Sequence, residues 1–265
     1  MSRRSITWKW LACYGLVLLA GNSLGLAHDT WVQVNSPRQE VGQLVFVELC
    51  LGNHANDHRD YRLASRLSSL DNCQVTVHHA NGLIQSLNGE LKGFGTAVNE
   101  GPWIGSWAPP STGRYYVESR LDLVKGTARA RQLSRAFFAV GESQNDAHSP
   151  PSTDFPMDLV PITDPLQATA GQELVFRVVF AGQPQANAKV SFLPLGVTLK
   201  AEFDDQYERV SDEAGLVRFT PSAANRYLIV TKRMDQITPV DGIERLAYTA
   251  SCTIVVQAAV RTNLE

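Results

Sequence analysis

Val41-Gly42-Gln43-Leu44-Val45-Phe46-Val47 and Ala170-Gly171-Gln172-Glu173-Leu174-Val175-Phe176 match one another once one inserted residue is allowed. In each, a glycine suited to a turn introduces an apolar run with the character of a strand. A second pair follows in the same order: Gly113-Arg114-Tyr115-Tyr116-Val117 and Asn225-Arg226-Tyr227-Leu228-Ile229. A glycine-led strand near the start of each half and an Arg-Tyr strand near its end read as one fold used twice.

The sequence between these markers has the same grammar. Thr30 to Val34 and Cys73 to His79 alternate as half-buried strands do, and Asn81-Gly82 is a strong hairpin turn. Gly93 to Trp107 reads as a loop with short strands. In the second half, Ala181-Gly182-Gln183-Pro184 and Asp212-Glu213-Ala214-Gly215 are turns before alternating segments. That order belongs to immunoglobulin-like or prealbumin-like sandwiches, and no amphipathic helix of useful length appears. The expectation is an all-β chain of two tandem β-sandwich domains, 28–142 and 158–257. A polar linker at 143–157, centred on Pro150-Pro151, joins them, and a tail follows at 258–265.

Residues 1–27 read as a secretory signal peptide. Arg3, Arg4 and Lys9 precede an apolar core from Leu11 to Ala20, and Gly25-Leu26-Ala27 suits a signal peptidase cut. The mature chain is then periplasmic or extracellular, begins at His28 and has no transmembrane segment. Hydrophobic content of 44% and charged content of 19% describe an ordinary globular protein. The net charge of −2 becomes −5 once three cations leave with the signal, which argues against nucleic acid as a partner. Cys50, Cys73 and Cys252 remain. Cys50 and Cys73 suit a sandwich-spanning disulfide, and three buried free thiols suit the pattern equally well.

The sharpest chemistry lies at Ala27-His28-Asp29-Thr30-Trp31. A mature N-terminal histidine offers an amine and an imidazole that chelate one ion, and copper(II) or nickel(II) favours such nitrogen ligands. His54, His58, His78 and His79 are candidates for the next ligand; His54 and His58 sit four apart in a polar loop with Asp57 and Asp60. Glu202, Asp204, Asp205 and Glu208 form an acidic cluster suited to calcium or to a solvated hairpin. Trp103 and Trp107 suit an exposed glycan-binding face or the covered end of a sandwich. The G-x-S-x-G, H-E-x-x-H, P-loop and G-x-G-x-x-G signatures are all missing, so the expectation is a non-enzymatic protein.

His28 to Trp31, the Gly42-Gln43 strand, Leu159-Val160-Pro161-Ile162-Thr163-Asp164-Pro165 and the pattern from Gly171 to Tyr227 resemble the NikM-like domain-of-unknown-function family of exported bacterial proteins. Its members are often described as nickel-uptake components. The resemblance implies a periplasmic carrier, or an accessory to metal-uptake machinery, without the helix-rich membrane region of a transport channel. With the residues themselves, it points to nickel or copper at His28, with His54 and His58 as further ligands. The other expectation is a metal-free module that presents loops to a cell-surface protein or glycan.

Overall fold

The computed structural model describes residues 28–53, 59–97, 100–142, 154–200 and 202–259. Within them the chain is all-β, with one 3-10 turn at Pro165–Gln167. Residues 1–27, expected to be a signal peptide, and residues 143–153 and 260–265, expected to belong to the linker and the tail, lie outside the described residues. No helix among the described residues is long and apolar enough to cross a membrane.

In chain order the first half contributes β1 (His28–Val34), β2 (Arg38–Gln39), β3 (Val45–Asn53), β4 (Leu63–Ser65), β5 (Cys73–His79), β6 (Ile84–Ser86), β7 (Lys92–Gly93), β8 (Trp103–Trp107), β9 (Gly113–Lys125) and β10 (Ala128–Val140). The second contributes β11 (Met157–Pro161), β12 (Leu174–Phe180), β13 (Gln183–Pro184), β14 (Lys189–Pro194), β15 (Glu208–Val210), β16 (Leu216–Phe219), β17 (Asn225–Val240) and β18 (Ile243–Val256). One sheet runs β1-β3-β8-β7 with β4 beside β3, and another runs β11-β12-β13 with β16 beside β12. Between them a nine-stranded sheet runs β15-β14-β17-β18-β10-β9-β5-β6, with β2 beside β10.

The long sheet belongs to both halves. At its centre β10 and β18 pair in parallel, from Ala128 opposite Arg245 to Ala136 opposite Thr253. Outward from that pair, β9 then β5 on one side match β17 then β14 on the other. A two-fold axis along the strands relates such halves, and that rotation also exchanges the faces of the sheet. Alternate side chains of β10 record the exchange. Ala136, Phe138 and Val140 enter a core with Val47, Val75 and Trp107, whereas Phe137 and Ala139 enter a second core with Phe176, Phe192 and Ile254. Two sandwiches therefore pack on opposite faces of one continuous sheet. Every residue of β10 from Gln132 to Val140 is buried, as a strand covered on both faces requires.

The repeated phrases occupy equivalent places. Gly42 and Gly171 have φ of 84° and 83°, a left-handed turn that glycine adopts without steric cost. The strands after them align without the inserted residue: Val45, Val47 and Leu49 point inward as Leu174, Phe176 and Val178 do. Tyr115 donates from its hydroxyl to the Ser111 carbonyl at 2.7 Å, and Tyr227 donates to the Ala223 carbonyl at 3.2 Å. Each is a tyrosine corner, a hallmark of immunoglobulin-like sandwiches, and the Arg-Tyr repeat is its sequence trace.

Phe137→Ala and Phe138→Ala remove neighbouring side chains from opposite cores. Each is expected to cost about 3–5 kcal/mol, and each should shift one common unfolding transition in urea, followed by both fluorescence and circular dichroism.

Candidate functional site

β1 lies against β9, β10 and β18 at the junction of the halves. Its backbone is held by side chains of β10 because it pairs with β3 along its own sheet and faces the long sheet broadside. Thr30 donates to Gln132 Oε1 from both its amide and its hydroxyl, each at 2.7 Å. Gln132 Nε2 in turn donates to the His28 carbonyl at 3.0 Å, and the Val32 amide donates to Ser134 Oγ at 3.1 Å. Asp29 is buried, and its Oδ2 forms an ion pair at 2.7 Å with Lys232 Nζ of β17, off the hydrogen-bond direction. Trp31 packs with Cys50 and Tyr61 of the first half and with Leu193, Leu199 and Leu228 of the second. A Cβ on Gly52 would approach the Trp31 ring to 2.6 Å, so glycine makes room for the indole. Asp29, Thr30 and Trp31 are thus structural.

His28 is half-buried, opens β1 and pairs with Asn53. His54 and His58 lie outside the described residues. The histidines of β5 are engaged elsewhere. The His78 ring stacks on Tyr116 with centroids 4.5 Å apart and places Nε2 2.8 Å from Thr76 Oγ1. Burial, together with Arg120 and Arg135, holds His78 below the usual imidazole value against the pull of Glu118. His79 leans on Tyr115 and places Nε2 3.2 Å from the Thr112 carbonyl. Among the described residues, no three His, Cys, Asp or Glu side chains converge as metal ligands would.

Charged pairs cross between the halves at several points. Arg135, buried on β10, donates from Nε to Glu118 at 2.8 Å and from a terminal nitrogen to Asp158 of β11 at 2.6 Å. Arg120 also donates to Glu118, at 2.7 Å. Burial raises the Glu118 carboxyl, but the two arginines outweigh it and hold the group below its ordinary 4.5. The arginines of the two Arg-Tyr repeats reach across in opposite directions. Arg114 pairs with Asp164, and Arg226 donates to the Val34 carbonyl at 3.1 Å. The partners of these arginines lie far away in the chain and leave no local mark beside either Arg-Tyr phrase.

The acidic cluster is divided: Glu202 and Asp205 are exposed, whereas Asp204 and Glu208 are buried, and among the described residues they form no cation site. Glu208 is fully buried, pairs with Arg59 of the first half and accepts from Ser191 Oγ at 2.6 Å and from the Asp204 amide at 2.7 Å. Asp204 accepts from the Gln206 amide at 3.1 Å and the Lys200 amide at 3.2 Å. These donors occupy the lone pairs a calcium ion would use. The two tryptophans form no exposed platform: Trp107 is in the first core, and Trp103 packs against that core with Nε1 donating to the Leu67 carbonyl at 2.7 Å. An open cleft of about 920 Å3 is lined by Arg120, Asp122, Asp71 and Phe155; Arg120 is paired to Asp154 and Asp122 to Arg129.

Among the described residues, Cys50, Cys73 and Cys252 are buried free thiols. Cys73 faces the first core and Cys252 the second, while Cys50 faces the cluster around Trp31. A layer of sheet separates Cys50 from Cys73, so the disulfide does not form. Burial pushes all three thiols up, Cys73 to about 12. In a protein that starts at His28, a thiol reagent such as DTNB should titrate none of them when folded and all three in denaturant. Glu118 contributes stability that is full above its unfolded value of 4.5 and is lost as pH falls towards its lower folded value. The stability gap between the parent and Glu118→Gln, read from urea midpoints, should therefore narrow between about pH 6 and pH 3.

No curated protein matches the chain. Among solved structures, it is similar to the D0-D1 domain of intimin (11% identity, TM-score 0.25, 86% of this chain and 98% of that one). Murine CEACAM1b is similar at 10% identity and a TM-score of 0.22, over 87% of this chain and all of that one. Trypsin-activated alpha-2-macroglobulin from Escherichia coli is similar at 13% identity and a TM-score of 0.29, over 87% of this chain but 16% of that one. Residues 26–235 match the family model described as Domain of unknown function (DUF4198), and the chain belongs to that family.

Proposed function

We propose that this is an exported, non-enzymatic protein that takes up one copper(II) or nickel(II) ion through the amine and imidazole of a mature N-terminal His28. It would serve as a periplasmic carrier or as an accessory to metal uptake, the role that the resemblance to NikM-like proteins implies. The observation that carries this reading is the register of β1 on β3. His28 stands opposite Asn53, and the chain passes directly from Asn53 to His54 and on to His58.

Further support comes from the anchoring of His28. Its carbonyl accepts from Gln132, and the next residues are pinned to both halves. A chelating amine there is held in place instead of swinging on a loose terminus, which lowers the ordering cost of binding. With His78 and His79 engaged by aromatic rings, His54 and His58 remain as the further nitrogen donors. The metal is cargo in this scheme, and the protein's part is to present nitrogen ligands at one end of a rigid strand.

Protein recovered from the periplasm should begin at His28 and bind about one equivalent of copper(II) with a nitrogen-rich electron paramagnetic resonance signature. One residue added before His28 should weaken binding at least tenfold, and His54→Ala or His58→Ala should alter the spectrum. Unchanged affinity in the extended protein would place the ion elsewhere. An absence of copper and nickel binding would leave the metal-free module that contacts a surface protein or glycan. The exposed run of Val41, Leu44 and Phe46 favours that second reading.

A further inference from the structure

A half-open cavity of about 120 Å3 lies on the seam between the halves, lined by Gln33, Glu48, Cys50, Tyr61, Leu195 and Arg226 among others. At about 30 Å3 for each water, it has room for about four waters or one solute of that size. Two of its lining residues carry opposite charges, one from each half. Each is tethered by other contacts. Glu48 Oε2 accepts from Gln33 Nε2 at 2.6 Å, and Gln33 Oε1 accepts from the Tyr61 hydroxyl at 2.8 Å. Arg226 donates to the carbonyls of Val34 at 3.1 Å and Asn35 at 3.4 Å. No ion pair joins Glu48 to Arg226 among the described residues.

Opposite charges facing one small space with apolar walls attract strongly, because the local dielectric is below that of water. Here no ion pair closes between them, and among the described residues Glu48 Oε1 and the Nε and Nη1 of Arg226 have no hydrogen-bond partner, which leaves them for a solute between the two. We propose that the cavity binds a small zwitterion of glycine size, with its carboxylate on the Arg226 guanidinium and its ammonium on Glu48. A guanidinium presents a planar fork that matches a carboxylate. A lone anion would meet the repulsion of Glu48, and a lone cation that of Arg226, so the site selects a solute carrying both charges. Trp31, Leu63 and Pro102 complete the wall and set the size limit. The ligand would bridge the halves, so binding should raise the temperature at which they unfold. His28 does not line the cavity, and the proposal is independent of the metal reading.

The test is calorimetric titration and thermal unfolding of the protein starting at His28, with glycine, acetate, methylammonium and leucine as separate probes. Glycine should bind and raise the midpoint, while acetate and methylammonium should bind at least tenfold more weakly. Leucine should be excluded by size. Glu48→Gln keeps the acceptor for Gln33 and loses the charge; it should weaken glycine at least tenfold, with its own midpoint as the control for folding. The proposal is overturned if glycine gives neither heat nor shift, if Glu48→Gln binds it as tightly as the parent, or if leucine binds equally well.

Discussion

Arg135 is a cation on a stretch of β10, Gln132 to Val140, that is buried on both faces. A buried guanidinium is tolerated only when its charge and donors are matched, and its partners come from both halves, Glu118 on β9 and Asp158 on β11. Removing one partner from such a group typically costs about 3–5 kcal/mol. The arrangement is an electrostatic requirement that the halves fold against one another. The alternation of β10 imposes the same requirement through packing, since Phe137 and Phe138 complete different cores. Together they make the shared sheet the element on which the rest of the structure depends.

The N-terminal strand follows from that shared sheet. β1 crosses the junction and is pinned by Gln132 and Ser134 of β10 and by Lys232 of β17. Most of the His28 to Trp31 run is therefore spent on joining the halves, which accounts for its composition without any ligand. The same pinning gives His28 a fixed position beside the end of β3. A structural explanation for Asp29, Thr30 and Trp31 and a chemical one for His28 are compatible, because the first supplies the rigidity the second needs.

The all-β class and the internal repeat were legible in the sequence because they rest on local signals. Alternation marks strands, glycines at positive φ mark turns, and the Arg-Tyr pair marks the tyrosine corner. The union of the halves through β10 and β18 was not legible. Parallel pairing of strands so far apart in the chain leaves no turn signal, and Ala136-Phe137-Phe138-Ala139-Val140 resembles any apolar strand. The burial of Asp204 and Glu208 was hidden for a related reason. Glu202 to Glu208 is acidic as a string, but Arg59, its principal partner, lies about 150 residues away and carries no local mark. At the candidate site, the sequence offered the expectation of a mature N-terminal His28 and a choice of histidines beside it. The structure packs two of those histidines, His78 and His79, on Tyr116 and Tyr115.

The two sandwiches form one cooperative body on a shared sheet. Differential scanning calorimetry of the protein starting at His28 tests it most directly. One transition is predicted, with a calorimetric-to-van't Hoff enthalpy ratio of about one. Two resolved transitions, or a ratio of about two, would contradict it and show that the sandwiches fold independently.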